Sequence, residues 1–270
     1  MACATSSIIS VKYISIPDAL SAFMQSLVGL SNNPASLYLS VSSQSLVVYV
    51  ATASTINVFN LSRLRSALDQ NDNSAVALKS FLETGTTIKV FFDARMPAKI
   101  LFDVCAIKLA NKICTERAFI HEIQLMELAL RRSDNNREWL AGFDKCIEND
   151  SDLDVDAAML GNGSSGIGID ERILHLPVLW KKYHGQLISG RFGVGGSFWI
   201  MMIREATQKR LEVSHGEEHR GYLVNGARSG WYRESIEEVS ESWNDDLMMD
   251  ISTDGEFLGG AEHWAQFNVL

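Results

Sequence analysis

The sequence predicts an α/β protein built on a mixed β-sheet. Three short segments rich in β-branched and aromatic residues follow one another closely, at positions 37–41, 46–51 and 55–59. Farther along, segments with helical periodicity lie before and after a continuous apolar segment that predicts a strand. This order is typical of sheets covered by helices. With 270 residues, 46% of them hydrophobic, the chain can bury the core that such a fold needs.

The first half contains four predicted helices and one further strand. Apolar residues at helical spacing place the helices at 18–30, 61–70, 74–83 and 97–110. Asp18 can cap the first of them, Gly85 follows the third as a C-terminal cap would, and Pro97 suits the first turn of the fourth. Residues 87–92 form a continuous apolar run, which predicts a buried strand.

The second half is predicted to be mostly helical. Helical spacing places helices at 123–131, 137–147, 174–183 and 198–211. Between the second and third of these, residues 148–171 combine alternating aspartates with a glycine- and serine-rich stretch. That composition predicts a flexible insert within a single domain spanning 1–232.

The charge is divided unevenly along the chain. The formal net charge is −9, but from Glu234 onward there are ten acids and no lysine or arginine, which leaves 23 acids against 24 bases in the preceding residues. The body is therefore nearly neutral and residues 233–270 form an acidic tail. Ile236, Val239, Trp243 and Leu247 recur at helical spacing in this tail, so an amphipathic helix is predicted there.

The remaining composition predicts a protein of a reducing compartment, either cytoplasmic or nuclear. The four cysteines show no CxxC spacing and no regular framework, so free thiols are expected rather than a disulfide scaffold or a zinc site. Residues 1–10 resemble neither a secretory signal nor a transit peptide. Since no apolar stretch approaches the roughly 18 residues that span a bilayer, no membrane association is expected.

Four segments of the sequence, taken in order, resemble one nuclease family. Residues 37–42 read Leu-Tyr-Leu-Ser-Val-Ser, where fungal 3'-5' exonuclease domain proteins read Leu-Tyr-Leu-Asp-Leu-Glu. Residues 89–95 resemble the strand before the family's second acid. Residues 123–129, with 140–142 and 145–148 behind them, resemble the helical stretch that follows, and 175–183 resemble the helix that carries the last acid. The family is related to ribonuclease D, so the resemblance implies a ribonuclease H-like fold, with residues 1–232 as the exonuclease-like domain.

The same resemblance implies that the catalytic acids are missing. In the family, four carboxylates hold two metal ions that carry out phosphodiester cleavage. By position, these acids fall on Ser40, Ser42, Lys99 and Arg172, and the aromatic residue that orients the attacking water falls on Gly168. Neither hydroxyls nor cations supply the charge that Mg²⁺ or Mn²⁺ requires. No cofactor is therefore expected, unless an active enzyme binds Mg²⁺ or Mn²⁺ elsewhere.

Two sets of candidate residues remain. Asp93, Asp103 and Glu122 could build a relocated metal site, although capping or ion-pair roles are favoured for Asp93 and Glu122. The cations at Lys99 and Arg172, with the basic pair Lys181 and Lys182, could instead bind nucleic-acid phosphates. The alternative interpretation for each of these cations is an ordinary solvated surface position.

Three functions are compatible with these features. The first is a catalytically degenerate exonuclease-like domain that binds nucleic acid, RNA more readily than DNA. The second is an active metal-dependent 3'-5' exonuclease with a relocated metal site. The third is a non-catalytic scaffold whose acidic tail recruits a basic protein partner. The sequence leaves the oligomeric state open.

Overall fold

The computed structural model describes residues 9–14, 18–110, 119–132, 137–155, 169–189, 194–216 and 229–249. Most of the insert predicted at 148–171, Gly168 included, and the last part of the acidic tail lie outside these ranges. None of the helices in the described ranges combines the length and the apolar character that a membrane crossing requires.

The centre of the described structure is a six-stranded mixed sheet. Its strands are β1 (Ser10–Ile14), β2 (Leu37–Val41), β3 (Ser45–Val50), β4 (Thr55–Asn60), β5 (Lys89–Phe91) and β6 (Ile120–Glu122). They lie in the order β1-β4-β3-β2-β5-β6. β2, β3 and β4 form an antiparallel meander, β1 adds in parallel to β4, and β5 and β6 continue in parallel from β2. The carboxyl ends of β2, β5 and β6 therefore lie at the same end of the sheet.

Nine helices surround this sheet in the described ranges. They are α1 (Asp18–Ser26), α2 (Leu61–Asp69), α3 (Asn73–Thr84), α4 (Arg95–Cys105), α5 (Ile123–Ala129), α6 (Phe143–Asp150), α7 (Leu176–Ile188), α8 (Val194–Ser214) and α9 (Arg233–Met249). Short 3₁₀ turns occur at Ala51–Ala53 and Glu171–His175. The sheet and helices together confirm the predicted α/β class with a mixed sheet.

The core is divided by the sheet into two apolar layers. Along β2, Leu37 and Leu39 belong to one layer and Tyr38 to the other, as the two-residue period of a strand dictates. The first layer packs against side chains of α1 to α4, and the second against those of α5, α7 and α8. Each fully buried aliphatic side chain in these layers stabilises the fold by about 1.5–3 kcal/mol relative to an exposed one.

The predicted strands and helices of the first half are present, with differences at their ends. α4 ends at Cys105 instead of near residue 110, because Ala106 takes a left-handed conformation (φ 51°) and its N–H bonds back to the last turn. Gly85 follows α3 as expected, but its backbone is extended rather than left-handed. Its importance is steric, since a Cβ atom there would lie 2.5 Å from the Phe81 carbonyl oxygen.

The helix predicted at 137–147 is wrong over its first six residues. Helix α6 begins only at Phe143, and the segment before it is extended, with Trp139 bridged to Ser229. Arg137 explains the difference, because its buried guanidinium donates to the carbonyl oxygens of Leu128 and Ala129 at the end of α5. The interaction with α5 holds this segment out of a helix.

Candidate degenerate active site

The two serine positions lie at the end of β2. Ser40 is half-buried in the strand opposite Val47 of β3. Ser42 is exposed in the tight turn that joins the two strands. Its N–H donates to the Ser45 carbonyl oxygen at 2.8 Å, and its hydroxyl oxygen accepts from the N–H groups of Gln44 and Ser45 at 3.3 and 3.1 Å. Ser42 therefore serves to close the β2–β3 turn.

Lys99 and Asp103 form an ion pair along α4. The Lys99 Nζ atom lies 2.6 Å from Asp103 Oδ1, one helical turn farther on. The carboxylate considered for a relocated metal site thus faces the cation at a position where the resemblance places an acid. Such an exposed pair in a helix contributes only about 0.3–0.5 kcal/mol, so it can open at low cost.

Arg172 is clamped between two carboxylates. Its guanidinium donates to both Asp170 oxygens at 2.8–3.1 Å and to Asp144 Oδ1 at 3.0 Å. Hydrogen bonds to Asp170, and then to Asp144, raise the pKa of Arg172 above its ordinary value, so the charge is permanent. The side chain is nevertheless 47% exposed. The clamp fixes the guanidinium in place and leaves part of it open to solvent.

A pair of stacked aromatic rings lies next to this guanidinium. The rings of Phe92, just after β5, and Phe143, the first residue of α6, are stacked with centroids 4.3 Å apart and planes at 14°. The carbon at the centre of the Arg172 guanidinium lies 5.4 Å from the centre of the Phe143 ring, within cation–π range. Sequence reasoning missed this arrangement because Phe92, Phe143 and Arg172 lie on three separate segments of the chain. The signal that was present is the Asp-x-Arg spacing of Asp170 and Arg172.

The same spacing recurs at Asp93 and Arg95, at the start of α4. Asp93 accepts from the Arg95 backbone N–H at 3.0 Å and from its guanidinium at 2.6–3.1 Å. Burial would raise the pKa of Asp93, but the hydrogen bonds and charge of Arg95, with the charge of Arg210, outweigh it and hold this pKa below its ordinary value. Asp93 therefore stays ionised and is bound to Arg95, the first residue of α4.

Glu122 is fully buried at the end of β6. Its Oε2 atom accepts from the Ala94 N–H at 2.9 Å, at the start of α4, and from Arg210 Nη1 of α8 at 3.0 Å. This carboxylate thus joins β6, α4 and α8 in the interior. Its position is that of a structural ion pair, which agrees with the ion-pair role favoured for it.

The residues present do not fit a metal site. α4 and the 3₁₀ turn that carries Arg172 both contact β2, so the segments bearing the four family positions are neighbours. In the described ranges, however, no three His, Cys, Asp or Glu side chains are grouped to hold a metal ion. Asp93, Glu122 and Asp103 are engaged instead by Arg95, Arg210 and Lys99. The structure does not bring these three acids together as ligands.

The basic pair on α7 is at the surface. Lys181 and Lys182 are both exposed, and Lys182 Nζ lies 2.8 Å from Asp150 Oδ1 of α6. Asp150 also accepts from the Tyr183 hydroxyl at 2.7 Å. Of the four cations considered from the sequence, Lys99, Arg172 and Lys182 are therefore paired with acids at exposed or partly exposed positions.

Comparison with solved structures identifies the fold. The structure is similar to Trypanosoma brucei RNase D in complex with RNA U12, with a TM-score of 0.52 and 14% sequence identity over 86% of this chain and 80% of that chain. The complex of T. brucei RNase D with GMP gives a TM-score of 0.51 at 13% identity, over 84% and 71% of the two chains. No family model and no curated protein sequence matches the chain. The chain thus has an RNase D-like exonuclease fold.

Proposed function

We propose that this chain is an RNase D-like domain that binds single-stranded nucleic acid without cleaving it. Lys99 and Arg172 contact phosphates in the degenerate site, and Lys181 and Lys182 extend the contact surface along α7. RNA is the preferred ligand. The resemblance to ribonuclease D relatives supports this, as does the RNA bound to the T. brucei neighbour. A cytoplasmic or nuclear location is proposed with it.

The observation that carries the proposal is the clamped guanidinium of Arg172. A planar, permanently charged fork that is fixed yet 47% exposed is suited to two-point contact with a phosphate. Exposed ion pairs contribute about 0–1 kcal/mol, so a phosphate can displace Asp144 or Asp170 from it at little cost. The cation stands at the position where the resemblance places the last metal-binding acid.

Loss of cleavage follows from the same substitutions. A two-metal reaction needs carboxylates around both ions. At the four family positions this chain offers two hydroxyls, one of them occupied in a turn, and two cations that repel Mg²⁺. We expect phosphodiester bonds to persist in the bound strand.

A combined binding and cleavage assay tests the proposal. Labelled single-stranded RNA and DNA are incubated with the full chain in Mg²⁺, Mn²⁺ or chelator, and affinity and strand length are measured together. We expect RNA binding without shortening, and an affinity that falls with salt as counterions are released. The double substitution Lys99→Glu and Arg172→Glu should weaken binding at least roughly tenfold, because two phosphate contacts become repulsive.

Lys79→Glu combined with Arg65→Glu is the matched control. Each residue pairs with an acid one helical turn farther on, Arg65 with Asp69 at an exposed site and Lys79 with Glu83 at a partly buried one, and the charge change is the same. Equal weakening by both double variants would count against a specific site. Chelator-sensitive shortening that Asp103→Ala abolishes would favour the relocated metal site, and absence of binding to either strand would favour the scaffold.

A further inference from the structure

A second concave site lies between the end of α5, the extended segment before α6, and α6 itself. It is a half-open pocket of about 490 Å³, within the size range of small-ligand sites. Its wall includes Arg131, Trp139, Lys145, Cys146, Asn149 and Asp150. On α6, Lys145, Cys146 and Asn149 face the pocket, whereas Asp144 pairs with Arg172. The pocket is thus distinct from the degenerate active site.

The wall of the pocket is held rigidly by hydrogen bonds. Arg131 donates to both carboxylate oxygens of Glu127 at 2.9 and 2.5 Å, and its third contact is the Trp139 carbonyl oxygen at 2.6 Å. The Gln124 side chain donates to the Ala141 carbonyl oxygen at 2.8 Å. These bonds anchor the segment that carries Trp139 at both of its ends, so the site is preformed.

Trp139 is the most informative residue of the wall. Its side chain is among the largest in proteins, yet 58% of the residue is exposed at a pocket. An accessible indole on an anchored backbone is a stacking platform for a flat heterocycle, and base–aromatic stacking contributes about 1–3 kcal/mol per base. Apolar packing against the body does not explain its position.

The charges of the wall favour an anion. Arg131 is neutralised by Glu127, and Asp150 by Lys182. That leaves the Lys145 ammonium as the charge without an ion-pair partner, beside the Asn149 amide. Neither of these exposed side chains makes a hydrogen bond within the described ranges. The site therefore offers an indole face, an ammonium group and an amide.

We propose that this pocket binds a single nucleotide, with the base stacked on Trp139, the phosphate contacted by Lys145 and a polar edge of the base or sugar contacted by Asn149. The inference rests on the proposed function, since the natural ligand is one nucleotide of the strand held at the degenerate active site. Because a stacking platform accepts any base, the pocket adds affinity without reading sequence.

Titration with adenosine monophosphate and with adenosine tests the pocket directly. Using the full chain and calorimetry, we expect both to bind, with adenosine monophosphate the tighter ligand. Trp139→Ala should weaken both by roughly tenfold, and Trp139→Phe should retain most of the affinity because a ring remains. Lys145→Glu should weaken only the phosphorylated ligand. Tyr13→Ala and Lys12→Glu, exposed positions on the distant edge strand β1, are the matched controls.

The outcomes separate the pocket from the proposed function. If adenosine monophosphate binds no tighter to the wild type than to Trp139→Ala and Lys145→Glu, or does not bind at all, the pocket proposal is overturned. If RNA then still binds in a manner sensitive to Lys99→Glu and Arg172→Glu, the proposed function stands without the pocket. The opposite result is also possible: the mononucleotide binds in the pocket, but RNA affinity does not change with Lys99→Glu and Arg172→Glu. That result would support the pocket and refute RNA binding at the degenerate active site.

Discussion

Two aspartate–arginine pairs use one local design in different surroundings. In both, the aspartate accepts from the arginine backbone N–H and, through both carboxylate oxygens, from one edge of the same guanidinium. Arg95 is buried, with its Nη2 atom 3.5 Å from Gln124 Oε1, whereas Arg172 remains open to solvent. The first pair is therefore a structural support for α4, and the second is available to a ligand.

Lys89 is a buried cation in the central sheet. It lies in β5 with 1% of its surface exposed, and its Nζ atom donates to the carbonyl oxygens of Gly85 and Thr87 at 2.7 and 3.1 Å. Burial lowers the pKa of this ammonium from 10.5 to about 8. Its burial therefore costs stability at neutral pH, and the cost is relieved as the folded state releases the proton.

Substitution of Lys89 by methionine should change how stability depends on pH. Between pH 8 and 10.5 the unfolded lysine still binds a proton that the folded one has lost, so rising pH favours the folded wild type. We expect the unfolding free energy of the wild type, relative to Lys89→Met, to increase by about 3 kcal/mol over this interval.

Urea denaturation of both proteins at several pH values provides the measurement. Cys105 and Cys146, whose pKa values burial raises to about 11 and about 12, act in the opposite direction in both proteins and cancel in the comparison. Lys12→Met, at an exposed position, controls for the loss of a lysine as such. A difference between wild type and Lys89→Met that stays constant from pH 8 to 10.5 would show that this ammonium is not desolvated.

At the scale of elements, α5 depends on a side chain from outside the helix. Arg137 donates to Leu128 and Ala129 carbonyl oxygens at 3.2 and 3.1 Å, and to that of Arg131. Its guanidinium carbon also lies 4.1 Å from the centre of the Trp199 ring in α8. The last carbonyl groups of a helix have no partners within the helix, so this one residue closes α5 and ties it to α8.

Arg137→Met should therefore destabilise the fold by about 3 kcal/mol, because buried carbonyl groups lose their donors. The stability of Arg137→Lys should lie between those of the wild type and Arg137→Met, since lysine keeps the positive charge but not the planar fork. Thermal or chemical unfolding followed by circular dichroism measures both. Arg63→Met, at an exposed position in α2, should change stability by less than about 0.5 kcal/mol. Similar effects of Arg137→Met and Arg63→Met would contradict the capping role.

Sequence periodicity located the elements whose packing is local and regular. β2 matches its prediction, and β3, β4 and α2 lie within one residue of theirs, because apolar side chains at strand or helix spacing define their buried faces. β1 and β6 were missed. β6 is only three residues long and contains His121 and Glu122, so its sequence has no strand-like apolar pattern. It is a strand because it pairs with β5 and contacts other elements.

For the candidate site, the sequence named positions but not the contacts that their side chains make. The resemblance named Ser40, Ser42, Lys99 and Arg172, and the structure places their segments side by side. Asp144, which holds Arg172, lies 28 residues earlier in the sequence. Trp139 fell inside a predicted helix. Partners this distant are decided by tertiary packing, which a local sequence pattern does not contain.

At the scale of the whole molecule, α9, the described part of the acidic tail, packs against the body. Ile236 of α9 is buried in the core layer of α5, α7 and α8, and the Trp243 ring lies 6.2 Å from that of Phe198. In the described ranges, the ion pairs of Lys99 and Arg172 are with Asp103, Asp144 and Asp170, none of which belongs to α9. If the chain binds nucleic acid as proposed, we expect the described part of the tail to act on this binding by long-range repulsion.

Neutralising the exposed acids of α9 should raise affinity for single-stranded RNA. We expect Glu234, Glu237, Glu238 and Glu241, changed together to glutamine in the full chain, to tighten binding several-fold at low salt. The gain should vanish at high salt, where the Debye length falls to about 3 Å. Fluorescence anisotropy across a salt series measures this, and Ile236→Ala separates loss of packing from loss of charge. An affinity gain that persists at high salt would contradict repulsion and indicate a direct contact.

The turn closed by Ser42 makes this position costly to change. Two backbone N–H groups depend on this hydroxyl, each bond contributing about 1 kcal/mol. A glutamate at this position would have a longer side chain that cannot cap the turn in the same way, and alone it would not complete a set of metal ligands. The stability of the turn is therefore enough to retain the serine, whatever the neighbouring site binds.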